Sequence, residues 1–379
     1  MSNGVDREKL YRGCLDLARS QLQLPKITSS NHLQVLEEFW TKSASIGALG
    51  WCIPTEYGGH GHDISTTVRL LECLGEGCND NGLTLALNGQ LWSVQLPLLE
   101  FGSEQQKNRY LPRLCSGEIR AAHGMTEALS GSDAFSLQTR AEKVEDGYLL
   151  NGEKCYVGMA PCADLALVFA RTDRQAGNWG LSAFLVDTDI PGVTRSDPIA
   201  KMGLNTNPMG NITLEDCLVP AEALLGGEGN GITVFNYAME WERGLIFASH
   251  VGAMQRQIDQ CISYAREREQ FGKSISQFQA VSHRIAEMSC RHEMSQHLLY
   301  EVANLKDRQQ NAVRQAAMAK LKISEYFLEN SLDAIRVHGA LGYLSDYEVE
   351  ASLRDATGGV VYSGTSDIQR NIIAASLGL

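Results

Sequence analysis

The apolar residues of this chain change their period twice. From about residue 119 to 225 they recur at every second position, as in "GYLLNGEKCYV", "DLALVFART" and "GLSAFLVDTDIPGV", the spacing of strands that turn alternate side chains to a core. Up to about residue 118 they recur three and four apart, as in "HLQVLEEFWTKSASIGALGW", "STTVRLLECLGEG" and "EQQKNRYLPRLCSGE", and the same spacing returns after residue 226. That is the period of helices. A helical pattern does not settle as a strand, so the chain reads as an α-helical domain over 1–118, a β domain over 119–225 and a second helical domain over 226–379. The fold class is α+β, mainly α.

Local signals agree. Asn151-Gly152 sits between two apolar runs and predicts a hairpin turn. The long pattern from "ITVFNYAMEWERGLIFASHVGAMQRQIDQCISYARERE" past residue 330 holds few prolines and predicts a bundle. The glycine clusters "GGHGH" and "GGEGNG" lack the G-x-G-x-x-G spacing of a dinucleotide loop after a strand, so they read as turns.

A length of 379 residues suggests two or three domains, and 44% apolar residues suffice to bury them. No run reaches the ~18–20 apolar residues of a membrane span, and no basic segment followed by an apolar run opens the sequence; the expectation is a cytoplasmic protein with no membrane partner. The ten cysteines show no C-x-x-C pairing and fall mostly in apolar patterns, which predicts reduced core residues and no metal site. A net charge of −12 argues against a nucleic-acid partner and leaves any anionic cofactor to be held by local charge.

Three segments carry candidate chemistry. "MTEALSGSD" offers Thr126, Ser130, Ser132 and loop N–H groups able to hold a polar ring edge or a phosphate, although such loops are commonly plain turns. "YAREREQFGKSISQFQA" places Arg266 and Arg268 near a helix end, where a guanidinium clamps a pyrophosphate or forms a solvated charged face. "MEWERG" puts two carboxylates in an apolar helix; two positions apart is about 200° around the axis, so Glu240 and Glu242 cannot share a pocket.

Taken in order, the helical domain, "MTEALSGSD", the β domain, "REREQFG" and the C-terminal "VYSGTSDIQR" resemble the acyl-CoA dehydrogenase superfamily over nearly the whole chain. The resemblance implies an N-terminal helical domain, a β-barrel-like middle domain and a C-terminal four-helix bundle, with FAD between the last two and across a subunit interface. It implies that Met125, Thr126 and Ser132 contact the isoalloxazine and pyrophosphate, and that the strand at Tyr156 flanks the ring. Arg268, Gln270 and Phe271 would reach the FAD of a neighbouring subunit, and Gln279 its adenine side. "RVHGALGY" matches a Q-x-x-G-x-x-G segment, with Arg336 in place of glutamine and Gly339 as its first glycine; Arg336 keeps a donor and adds charge near the pyrophosphate. Thr365 and Asp367 of "SGTSDIQR" would lie beside the cofactor.

Two departures stand out. Where most members carry the base in Y-E-G-T, this chain has Tyr362-Ser363-Gly364-Thr365, and serine cannot take an α-proton unaided. Either the chemistry is lost, or the base moves to the helix position just before an arginine, as in the isovaleryl and long-chain branches. Glu242-Arg243 matches that site, which makes Glu242 the expected base, Glu240 a surface or structural residue, and Arg243 with the Ser363 backbone N–H the expected thioester contacts. At flavin N5, the family's W-x-T pattern supplies a hydroxyl; Tyr156-Val157-Gly158 supplies none.

By resemblance the function is FAD-dependent α,β-dehydrogenation of an acyl thioester. The relocated base, Gly158 and the "VYSGTSDIQR" ending resemble the branch that oxidises proline tethered to an acyl or peptidyl carrier protein in natural-product biosynthesis. Alternatives are a short- or branched-chain acyl-CoA dehydrogenase acting on a CoA thioester, a flavin-dependent monooxygenase of the same fold, and a noncatalytic flavin-binding protein. The implied electron acceptor is oxygen or an electron-transfer flavoprotein, and the implied assembly a homotetramer.

Overall fold

The structure is a computed structural model that describes residues 6–23, 31–347 and 349–379. The first part is helical: α1 (Arg7–Gln21), α2 (His32–Ser45), α3 (Ile64–Gly77), α4 (Asn81–Gln90), α5 (Leu96–Phe101) and α6 (Glu104–Cys115). Asp63 and Asp80 start α3 and α4 by accepting the N–H groups of Thr66 and Leu83. A capping box of Ser103 and Gln106 starts α6.

The middle part is one mixed sheet of β1 (Ala121–Gly124), β2 (Arg140–Val144), β3 (Gly147–Gly158), β4 (Leu165–Arg171), β5 (Leu181–Asp187), β6 (Val193–Arg195), β7 (Met209–Val219) and β8 (Leu224–Leu225). The strands run in the order β6-β7-β3-β2-β4-β5-β8, with β1 parallel to β4. Strand β4 shows why period two and continuous apolarity coexist there: Leu165, Leu167 and Phe169 pack into the helical core, while Ala166, Val168 and Ala170 pack into the sheet's own core. A strand covered on both faces loses its polar side. Asn151-Gly152 is not the tip of a hairpin as expected; both residues lie within β3, paired to β2 and β7, and the turn falls at 145–146. The glycine there marks an irregularity in the β3–β7 ladder, where a Cβ would lie 2.4 Å from Thr139 Oγ1.

The last part holds α7 (Gly231–Leu245), α8 (Ala248–Glu267), a small hairpin of β9 (Glu269–Gln270) and β10 (Lys273–Ser274), α9 (Gln279–Asp307), α10 (Val313–His338), α11 (Val349–Gly359) and α12 (Ser366–Ser376). "GGHGH" and "GGEGNG" are turns, the second reaching α7 through positive φ at Gly226, Gly227 and Gly229. Helices α3 and α8 cross backbone to backbone. A Cβ on Gly75 would stand 1.8 Å from the Ser249 carbonyl oxygen, and one on Gly252 would stand 1.9 Å from that of Glu72. Glu72 itself accepts from Gln296 and Tyr300 on α9, which ties the first helical part to the last.

The cysteines form no disulfide, and burial pushes the thiols of Cys78, Cys115 and Cys261 upward. Cys290 departs from the core expectation: it is exposed on α9. Among the described residues no helix is long and apolar enough to cross a membrane, and no group of three ligand-type side chains could hold a metal.

Candidate active site

Glu242 lies in the last turn of α7, whose Val234, Phe235, Ala238, Met239 and Trp241 are buried. Its neighbour two residues earlier points elsewhere, as helix geometry requires: Glu240 accepts from Lys306 Nζ at 2.5 Å and from the Ala312 N–H at 2.8 Å. Glu240 is therefore a structural clamp between α7 and the start of α10.

Glu242 is held on both oxygens. Ser93 Oγ donates to Oε2 at 2.6 Å, and Ser363 Oγ donates to Oε1. Ser93 reaches it because α4 and α5 are joined by a wide helical turn over Leu91–Gln95. Pro97 explains that turn: it has no N–H for the Ser93 carbonyl, and its ring crowds that oxygen, so the helix widens. Trp92 in the same turn stacks on Trp241 with ring centres 6.1 Å apart and planes 3° apart, which seats Ser93 against α7. Ser363 arrives from the other side, in the left-handed region at φ 58°, followed by Gly364 at φ 83°. Gln369 Nε2 fixes this corner by donating to the Gly364 carbonyl at 2.9 Å.

The surroundings are part-buried and charged. Arg243 is half-buried, and its Nε has no partner; desolvation lowers its pKa, with Glu242 opposing. Lys320 on α10 is fully buried, with no acceptor for its Nζ, and burial and then Arg243 push it down to about 8, against Glu242 and Glu325. Tyr362 stacks on Phe247 at 5.6 Å, its hydroxyl unpartnered and raised by burial, then by Asp355 and Glu242. His123 on β1 lies against Phe169 and Phe235; burial lowers it while Glu242 opposes.

The remaining expected residues form two groups. Met125 is buried after β1, the Thr126 carbonyl accepts from Cys155 N at 2.8 Å, and Ser132 is exposed in the following turn. Tyr156 is 62% exposed at φ 57° beside a register shift in β3, and Gly158 ends that strand exposed. Thr365 caps α12 by accepting from Ile368 N at 3.2 Å, and Asp367 pairs with Arg370. Leu204, on the loop before β7, lies against the Gly358 position, which also faces the Tyr362 ring.

The second group lies at the far ends of α8 and α10. Arg268, Gln270 and Gln279 are exposed, Phe271 is 93% exposed, and Gly339 turns the chain at φ 61°. Arg336 donates to Asp333 at 3.0 Å, sharing that buried carboxylate with Arg284 and Arg291. Within one chain, no hydrogen bond or ring contact among the described residues joins this group to the first. Ser93 and Lys320 were missed from the sequence; Pro97 inside a helical run was the available clue to the first.

A carboxylate clasped by two hydroxyls in the last turn of α7, in a chain that also leaves polar atoms of Asn207, Ser366 and Gln369 without partners, suits a dehydrogenase that works on a flat cofactor. Family models for the N-terminal, middle and C-terminal domains of acyl-CoA dehydrogenase match residues 9–118, 122–217 and 229–378. The chain belongs to the acyl-CoA dehydrogenase family, and FAD is its cofactor. It is 40% identical over 341 residues to the L-prolyl-[peptidyl-carrier protein] dehydrogenase of Pseudomonas fluorescens, covering 90% of each chain. To the protein of the same name from Serratia sp. it is 36% identical over 372 residues, covering 98% of this chain and 95% of that one. Among solved structures, the prolyl acyl carrier protein oxidase AnaB is similar at 43% identity and a TM-score of 0.95, each chain fully covered. PigA with FAD and proline is similar at 34% identity and a TM-score of 0.92, over 100% of this chain and 98% of that one.

Proposed function

We propose that the protein removes two hydrogens from the α and β carbons of a prolyl group held as a thioester on a carrier protein, with Glu242 as the base. The observation that carries this is the double clasp on Glu242, which fixes a carboxylate in a largely buried site with both oxygens aimed by hydroxyls. The similarity to prolyl-carrier-protein dehydrogenases supports the substrate class.

Glu242 takes the α-proton, the α–β bond becomes double, and the β-hydrogen leaves with its electron pair. FAD, when bound, supplies the acceptor for that pair. The Ser363 backbone N–H serves the thioester oxygen as charge develops there, while Arg243 and Lys320 supply positive potential behind the base. Met125, Thr126, Ser132, Tyr156, Gly158, Thr365 and Asp367 line the cofactor from their own subunit. Arg268, Gln270, Phe271, Gln279, Arg336 and Gly339 extend from the other end of the bundle toward the cofactor of a partner copy in a homotetramer.

The test is anaerobic mixing of the yellow holoenzyme with prolyl-carrier protein and, separately, with isovaleryl-CoA. Bleaching by the prolyl thioester alone supports the reading; bleaching by isovaleryl-CoA alone replaces it with a branched acyl-CoA substrate. Readmitting air with and without an electron-transfer flavoprotein then identifies the acceptor.

A further inference from the structure

Gly158 is not a glycine that its backbone requires. Its φ is outside the left-handed region, and an added Cβ would meet nothing closer than 3.4 Å, an ordinary contact. What the missing side chain leaves open is filled from the side. The nearest atoms to that built Cβ are Oδ1 of Asn207 at 3.4 Å and its Nδ2 at 3.6 Å.

The carboxamide of Asn207 is idle. Its Oδ1 is buried without a partner, and its side chain makes no hydrogen bond among the described residues. The cost of the orphaned oxygen says that the amide is not held by the protein, and its two N–H donors are engaged by no protein group, so they are available to a ligand. The backbone beneath it is firmly held. Lys201 Nζ donates to the Asn207 carbonyl at 2.6 Å and to that of Leu204 at 2.7 Å. Leu204 N donates to Asp355 Oδ1 at 2.5 Å, and Met159 N donates to the Pro208 carbonyl at 2.6 Å. The same loop packs against the segment that carries Ser363: Leu204 and the Tyr362 ring both lie within 4 Å of a Cβ built on Gly358, and Ser363 follows Tyr362.

We propose that Asn207 is a cofactor-contacting residue: its side-chain N–H donates to N5 of the oxidised isoalloxazine, through the space Gly158 leaves. This rests on the placement of Gly158 at the flavin given above, and it moves the polar contact from the end of β3 to the loop before β7. Oxidised N5 is an acceptor with an in-plane lone pair, whereas reduced N5 carries a hydrogen that points at the donor and keeps only a delocalised pair, so this bond favours the oxidised form.

The experiment needs no substrate. The visible spectrum and two-electron midpoint potential of the holoenzyme are measured for wild type, Asn207→Leu, Asn207→Ala, Gly158→Ser and Asn207→Leu/Gly158→Ser. Asn207→Leu and Asn207→Ala are expected to raise the potential by about 30 mV, a tenfold change for a two-electron couple, and to shift the flavin bands. Gly158→Ser in the Asn207→Leu background returns both toward wild type by supplying a hydroxyl. If Gly158→Ser alone shifts the spectrum while neither Asn207 variant does, the Asn207 contact is overturned but Gly158 stays at the ring. If none of the variants moves either readout, Gly158 is not at the flavin and the inference falls with it. A shift that the serine does not reverse also overturns it. Turnover of prolyl thioester plays no part in these readouts, so the substrate reading stands or falls separately.

Discussion

Ser93 donates a 2.6 Å hydrogen bond to Oε2 of Glu242 across 149 residues of sequence, so the aim of the base is set by a helix in the opposite lobe. With Ser363 on the other oxygen, the carboxylate has little rotational freedom left.

Replacing Glu242 by Gln keeps both hydroxyl contacts' geometry while removing the proton acceptor. Flavin reduction by prolyl-carrier protein in stopped flow is expected to slow by about 10²–10⁴-fold, with FAD still bound. Undiminished reduction would remove Glu242 from the mechanism.

Ser93→Ala and Ser363→Ala each delete one charge-assisted bond, worth about 1.5–3 kcal/mol. Each should slow reduction roughly tenfold or more, the two effects together falling short of their product because both serve one carboxylate. Single-turnover rates of the two single variants and the double variant make the comparison.

Asp355 is half-buried on α11, and desolvation, then Asp80, raise its carboxyl from 3.8 to about 6. The folded state thus holds a proton that the unfolded chain releases between about pH 4 and 6. This group's contribution falls as pH rises through that window and is unfavourable and flat above it. Wild type should therefore gain about 1 kcal/mol relative to Asp355→Asn when pH drops from 7 to 5, measured by urea unfolding of both proteins. A constant difference between them would refute this.

Asp333 is 7% exposed and shared by Arg284, Arg291 and Arg336 at 3.1, 2.9 and 3.0 Å. Asp333→Asn removes the carboxylate charge that Arg284 and Arg336 share, while Arg291 keeps Glu329, and should lower stability by about 1.5–3 kcal/mol. Arg336→Gln, at an exposed arginine, should change stability by less than about 1 kcal/mol. Denaturant midpoints separate the two.

Helical glycines give opposite outcomes. Gly75→Ala would place a Cβ 1.8 Å from a backbone oxygen on α8 and should destabilise by about 3 kcal/mol. Gly13→Ala in α1 meets nothing within 4 Å and should stabilise by about 0.5–1 kcal/mol. Thermal unfolding of both variants tests this.

The change from period three-to-four to period two and back was legible because helices and strands bury their faces differently, and the 200° offset separated Glu240 from Glu242. The Asn151-Gly152 turn was misread because the glycine serves a ladder irregularity within a long strand, and pairing partners are invisible in one dimension. Ser93 and Lys320 were hidden for a related reason: each is an unremarkable polar residue in a helical run, and only the crossing of α7 with distant helices brings them to the base. Arg336 is assigned to a pyrophosphate by its place in a motif; its contact with Asp333 is an i,i+3 pair that the spacing allows, but that Arg284 and Arg291 share the same carboxylate is visible only in the fold.

The crossing of α3 and α8, where glycine meets carbonyl with no side chain between, leaves the two helical parts nothing to slide on. Opening them like a hinge would peel main chain from main chain, so the two helical parts move as one body. Ser93 in the first part and Glu242 in the last therefore keep their spacing before any substrate arrives, and a thioester meets a base that is already aimed.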